Sequence, residues 1–91
     1  MGRAVIWPAV QAFPEPVHDK EQMHKILEEA AEVYAEWQAM EDDPDKDPVW
    51  VVNECADLMQ AVTNLLASYG VSDMRDAMSR CHERNRLRGR F

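Results

Sequence analysis

Glycine is scarce in this 91-residue chain, three residues in all, and no glycine run forms the loop that cradles phosphates in P-loop proteins. The two cysteines, Cys55 and Cys81, are isolated and lie outside any Cys-x-x-Cys pair, which argues against a metal ribbon. Cys55 falls on an apolar helical stripe and reads as a reduced core residue. No segment reaches the roughly 18 uninterrupted apolar residues that a membrane span needs. Met1 to Val10 holds one Arg and a short apolar run broken by Pro8, without the hydrophobic stretch or small-residue cleavage site of an export signal. A cytoplasmic protein with no membrane partner is expected. There is no Ser-His-Asp set and no internal repeat. Few segments combine β-branched residues with strict alternation, so sheets are not expected either.

What is present favours helices: Glu, Ala, Met and Leu dominate, and the fold class is read as all-α. The net charge of −7 is unevenly spread, because residues 1–79 carry 5 basic and 16 acidic side chains while residues 80–91 carry five arginines and one glutamate. So acidic a body repels a polyanion unless metal ions intervene, whereas the tail can meet phosphates directly. With no aromatic interleaving beyond Phe91, the tail alone argues against nucleic acid as a partner.

The chain reads as one domain, 1–91. Residues 1–18, with Trp7, Phe13 and three prolines, are too proline-rich for a helix and too apolar to be left in water. They are expected to lie as an extended arm across a neighbouring surface, on this chain or on a partner subunit. Asp19 followed by Gln22 resembles a capping box, after which Met23, Ile26, Leu27, Ala30, Val33, Tyr34 and Trp37 recur at helical spacing to about Met40. The run Glu41 to Pro48 is a solvated turn. Asp47 as N-cap and Pro48 at the first helical position open a second helix to about Tyr69, stopped by Gly70. Ser72 caps a third, to about Asn85, with Met74, Ala77, Met78 and Cys81 inward. Trp37 and Trp50 are expected in the core, and His18, His24 and His82 at the surface. A protomer this small buries only about 60–65% of the surface its unfolded chain exposes. A helical hairpin plus third helix, with a four-helix core completed by homo-oligomerisation into a homodimer or homotetramer, is the expected architecture.

Between Val49 and Val71 the only charged side chains are Glu54 and Asp57, three apart. On a helical wheel they border the apolar face of Val51, Cys55, Leu58, Val62, Leu65, Leu66 and Tyr69, in the company of Ala61, Asn64 and Ser68. A solvated helix would carry Lys and Arg as well, so the two carboxylates beside small residues suggest a cavity. The preceding helix offers Glu28, Glu29, Glu32 and Glu36. Taken alone these form an ordinary acidic face. Taken with Glu54-x-x-Asp57 across one turn, antiparallel packing brings four carboxylates together, which cannot all ionise without help. Mg²⁺, with Mn²⁺ as the alternative, is the hard cation such oxygens suit; the absence of His and thiolate disfavours zinc.

The motifs Glu28-Glu29-Ala30-Ala31-Glu32 and Glu54-Cys55-Ala56-Asp57 resemble the signature of the MazG-like, all-α NTP pyrophosphatase family. The likeness spans roughly residues 19–90. It implies that Glu29, Glu32, Glu54 and Asp57 are the Mg²⁺ ligands and the catalytic set, with Glu28 acting through an outer-shell water. It also implies hydrolysis of a nucleoside triphosphate, often a non-canonical one, to monophosphate and pyrophosphate. Some relatives carry a Lys four residues before an Asn on the third helix; here Cys81 takes the Lys position and Asn85 is kept. Asn85, Arg84 and Arg88 are therefore candidate substrate contacts, the alternative being a basic helix terminus favoured by the helix dipole. The alternative substrate is that of the phosphoribosyl-ATP pyrophosphohydrolase branch. That branch commonly shows Leu-Leu-Tyr-His after the Asp, where this chain has Leu58-Met59-Gln60-Ala61. Another class of reading is a non-catalytic helical dimerisation module.

Overall fold

In the computed structural model, which describes residues 2–91, the chain is helical throughout its ordered elements and no strand occurs among the described residues. The order is α1 (Lys20–Asp42), α2 (Val49–Ser68) and α3 (Arg75–Leu87). Asp19 caps α1 by accepting the Gln22 N–H. The capping box is half made, because the Gln22 side chain donates instead to the Ala61 carbonyl at 2.8 Å and ties α1 to α2. Pro48 already has helical angles (φ −56°, ψ −16°) and Asp47 accepts the Val49 N–H, so the expected opening of α2 holds with a shift of one residue. At its end Gly70 (φ 78°) supplies the left-handed turn, with Val71 N–H on the Leu66 carbonyl and Gly70 N–H on that of Ala67. This is a Schellman motif. Gly89 (φ 71°) closes α3 in the same manner, two residues later than expected. At the start of α3, Asp73 rather than Ser72 accepts the first free amide, that of Arg75.

α1 and α2 form an antiparallel hairpin, and α3 packs against neither. The turn between them is braced by Lys46, which folds back to Glu36 at 2.7 Å. The face of α1 directed at α2 carries Gln22, Ile26, Glu29, Val33, Glu36 and Met40, at alternating spacings of four and three. The expected inner stripe is corrected accordingly. Ile26 and Val33 are half-buried, whereas Met23, Leu27, Ala30, Tyr34 and Trp37 are exposed. α2 likewise turns its narrow polar strip inward, burying Ala61 and Asn64, and leaves Cys55 exposed. Trp50 and Met78 are exposed as well, against expectation. The physical reason is rotation: carboxylates and small residues take part of the hairpin seam, which turns Leu27, Tyr34 and Trp37 of α1 outward and leaves Val51, Leu58, Val62, Leu65 and Leu66 of α2 only half-buried.

The arm lies on its own chain rather than requiring another. Phe13 N–H donates to Asn64 Oδ1 at 3.0 Å, Gln60 Nε2 donates to the Gln11 carbonyl, and His18 bonds Ser68 and stacks on Tyr69 at 4.2 Å. The arm thus runs along the C-terminal half of α2, bending at Glu15 (φ 56°) between two prolines. Met1, the first residue of the expected arm, lies outside the described residues.

The accessible surface is 7663 Å². A compact monomer of 10.5 kDa would show about 5400 Å². The radius of gyration of 15.4 Å likewise exceeds the roughly 12 Å of a compact chain this long. No described helix is long and apolar enough to cross a membrane.

Asn64→Ala removes the acceptor for both the Phe13 amide and Gln60. It is expected to destabilise the protein by about 1–2 kcal/mol and to speed proteolytic cleavage within residues 2–18, read by thermal unfolding and limited proteolysis.

Candidate active site

The hairpin register that joins Gln22 to Ala61 carries Glu29 to the level of Asp57 and Glu54, and Glu32 beside Glu54. Ala61, 4% exposed, is what lets the two backbones approach there. Glu29, Glu54 and Asp57 each offer one oxygen, and these oxygens lie within 4.8 Å of one another. Glu32 stands outside that trio but within hydrogen-bonding reach of Glu54, so the expected four converge on one seam.

Burial differs across the set. Glu29 is only 6% exposed, Glu54 is half-buried, and Glu32 and Asp57 reach solvent. Glu29 Oε2 and Glu54 Oε2 are buried without a hydrogen-bond partner. Leaving such an acceptor bare is costly, and so it marks a place where a ligand completes the chemistry. Glu29 Oε1 is occupied by the Lys25 ammonium at 2.9 Å. Glu54 meets the repulsion differently. Its carboxyl is held above the ordinary range, first because it shares a hydrogen bond with Glu32, then through burial and the charges of Glu32, Asp57 and Glu29. Lys25 is likewise held above its ordinary range, its charged ammonium stabilised chiefly by the hydrogen bond to Glu29.

An all-oxygen, all-anionic donor set with two unpartnered buried oxygens fits a divalent cation. Such an ion, when bound, neutralises the phosphate charges and polarises the bond to be broken. Beside the carboxylates a groove of about 210 Å³ opens between the helices, walled by Gln22, Lys25, Asp57, Gln60 and Asn64, with Phe13 of the arm at one side. Of these walls, the sequence pointed to Asp57 and Asn64 as neighbours on one strip. Lys25 was missed, though its position one turn before Glu29 is the signal for it.

The remaining candidates are not gathered here. Glu28 is exposed on α1, near enough for its charge to act on Lys25. Asn85 is tied up on α3 by Arg90, which donates to its Oδ1, and Arg84 and Arg88 are exposed. Since α3 does not pack on the hairpin, none of the three reaches the acidic seam within one protomer.

The chain is an all-α nucleotide pyrophosphohydrolase by its family match, and its helical hairpin with acidic pairs agrees with that class. Within that class the family model described as phosphoribosyl-ATP pyrophosphohydrolase matches residues 3–85, and the chain belongs to this family. It is therefore an enzyme, a hydrolase acting on a phosphoanhydride bond. The match begins at residue 3 and so takes in the arm, which the motif likeness over 19–90 did not. No curated protein and no solved structure matches the chain.

The raised Glu54 carboxyl has a pH consequence in metal-free protein. Folding favours its protonated form, so stability is gained as pH falls from neutrality through the folded pKa and is complete below the ordinary value of 4.5. Asp73 and Glu83, held low by Arg75 and Arg86, act oppositely but only below their own ordinary values. Metal-free protein should accordingly melt higher near pH 5 than at pH 7.5, and Glu54→Gln should flatten that difference; thermal melts across pH check both.

Proposed function

We propose that this enzyme is a Mg²⁺-dependent phosphoribosyl-ATP pyrophosphohydrolase, adding water across the α–β phosphoanhydride to give phosphoribosyl-AMP and pyrophosphate. The observation that carries the reading is the family match over nearly the whole chain together with the carboxylate cluster it contains. Glu29, Glu32, Glu54 and Asp57 are the residues that hold the cation, with Mn²⁺ as a substitute. Glu29 and Glu54 suit the role because each keeps a free buried oxygen. Asp57 and Glu32 orient the incoming water and accept its proton, a role supported by their nearness to solvent. The groove next to the cluster receives the rest of the nucleotide.

A broader activity on nucleoside triphosphates is the second reading. It is favoured by Gln60 and Ala61, which stand where the phosphoribosyl-ATP branch commonly shows Tyr and His; Gln60 lines the groove. A panel of phosphoribosyl-ATP, ATP, dUTP and dCTP with pyrophosphate detection separates the two. Phosphoribosyl-ATP should be turned over with the highest kcat/KM, and equal rates on the whole panel would favour the broader reading. Glu54→Gln and Asp57→Asn should each lower turnover by more than about 100-fold, since loss of an outer-shell partner alone costs about 10–100-fold at a metal site.

The working unit is a homodimer or a pair of dimers. The excess surface of about 2200 Å² per protomer over a compact monomer matches what an obligate dimer buries per subunit. The outward apolar side chains, among them Leu27 at 66% and Val52 at 62% exposed, supply that surface. Wild type should sediment as a dimer or larger, and Leu27→Glu should shift it towards monomer in analytical ultracentrifugation.

A further inference from the structure

Lys25 is the one basic side chain, among the described residues, that lines the groove beside the carboxylates. Its ammonium occupies Glu29 Oε1 at 2.9 Å, while Glu29 itself is almost wholly buried and keeps its second oxygen bare. Lys25, by contrast, is 56% exposed and reaches its partner with a flexible four-carbon stem. The pair is therefore asymmetric: Glu29 is fixed by packing, and Lys25 is free to leave. A cation site that also carries its own ammonium is occupied twice over once a divalent ion arrives. With Glu29 so engaged, Lys25 loses its ion-pair partner at the edge of a groove whose other walls are amides, Ala61, Phe13 and Asp57, and the charges of Glu28 and Glu32 act on it only through space.

We propose that Lys25 is an exchangeable counter-ion: it neutralises Glu29 in metal-free protein and, when a divalent cation takes Glu29, swings into the groove to bind a substrate phosphate. This assignment rests on the proposed function, since it takes a polyphosphate to be the groove's occupant. It links metal and phosphate binding through one side chain. Metal loading both prepares the cation site and frees the positive charge that the anion needs, so neither ligand alone sees the full site. The one-turn offset of Lys25 from Glu29 makes the exchange a rotamer change and leaves the backbone where it is.

The test uses the whole protein and two probes, Mn²⁺ alone by titration and electron paramagnetic resonance, and inorganic pyrophosphate in saturating Mn²⁺ by calorimetry. K25M keeps the length of the stem and removes the charge. It should bind Mn²⁺ about two- to fivefold more tightly, because an i,i+4 ion pair no longer competes. It should bind pyrophosphate about tenfold or more weakly, because a charged hydrogen bond is gone. K25R should recover part of the pyrophosphate affinity. Weaker Mn²⁺ binding by K25M, or unchanged affinity for both probes, overturns the proposal. A wild type that binds both probes as expected but releases pyrophosphate from no nucleotide would instead sink the functional reading and leave the Lys25 exchange standing.

Discussion

Carboxylates, not hydrocarbon, occupy the middle of the α1–α2 seam, and most of the structure is arranged around making that tolerable. Glu29 is buried deeper than any large apolar side chain among the described residues. A charge so placed needs compensation, and the chain supplies it in three ways: an ammonium on Glu29, an ammonium from the turn on Glu36, and a Glu54 carboxyl held above its ordinary range beside Glu32. What remains are two bare buried oxygens on Glu29 and Glu54. Those are the groups for which a divalent ion is the natural partner, and they make metal binding and folding parts of one equilibrium.

The cost of an acidic seam is an apolar exterior. With Gln22, Glu29 and Glu36 facing α2, the side chains that would ordinarily fill a hairpin core are turned to the outside. The arm covers a share of α2 through Phe13 and His18, yet a large apolar surface remains open.

The chemistry follows from the same placement. An acidic body repels a polyanion unless positive charge intervenes, and the clustered carboxylates of Glu29, Glu54 and Asp57 are a donor set that fits a divalent cation. The groove, bounded by amides from Gln60 and Asn64 and by the arm's Phe13, adds neutral contacts beside that cluster. Membership of the phosphoribosyl-ATP pyrophosphohydrolase family gives the bond class that this arrangement serves. Of the four residues after Asp57, Gln60 and Ala61 line the groove.

By itself the sequence determined the helices, their stops and the pairing of acids. Caps at Asp19 and Asp47 and the left-handed Gly70 act over a few residues, and the spacing of Glu29, Glu32, Glu54 and Asp57 fixes which side chains share a helical face. Local rules reach no further than that. Which face turns inward is a matter of pairing between helices, and the hydrophobic period, correctly found, gave the wrong answer for Leu27, Trp37 and Cys55, because the α1–α2 seam takes the carboxylates and small residues instead. Tertiary structure alone decided that Asn64 anchors the arm, that the groove opens beside the Lys25–Glu29 pair, and that α3 keeps Asn85 and its arginines away from the carboxylates of its own protomer. Each of these rests on the relative rotation and register of packed elements, which no period along one helix can encode.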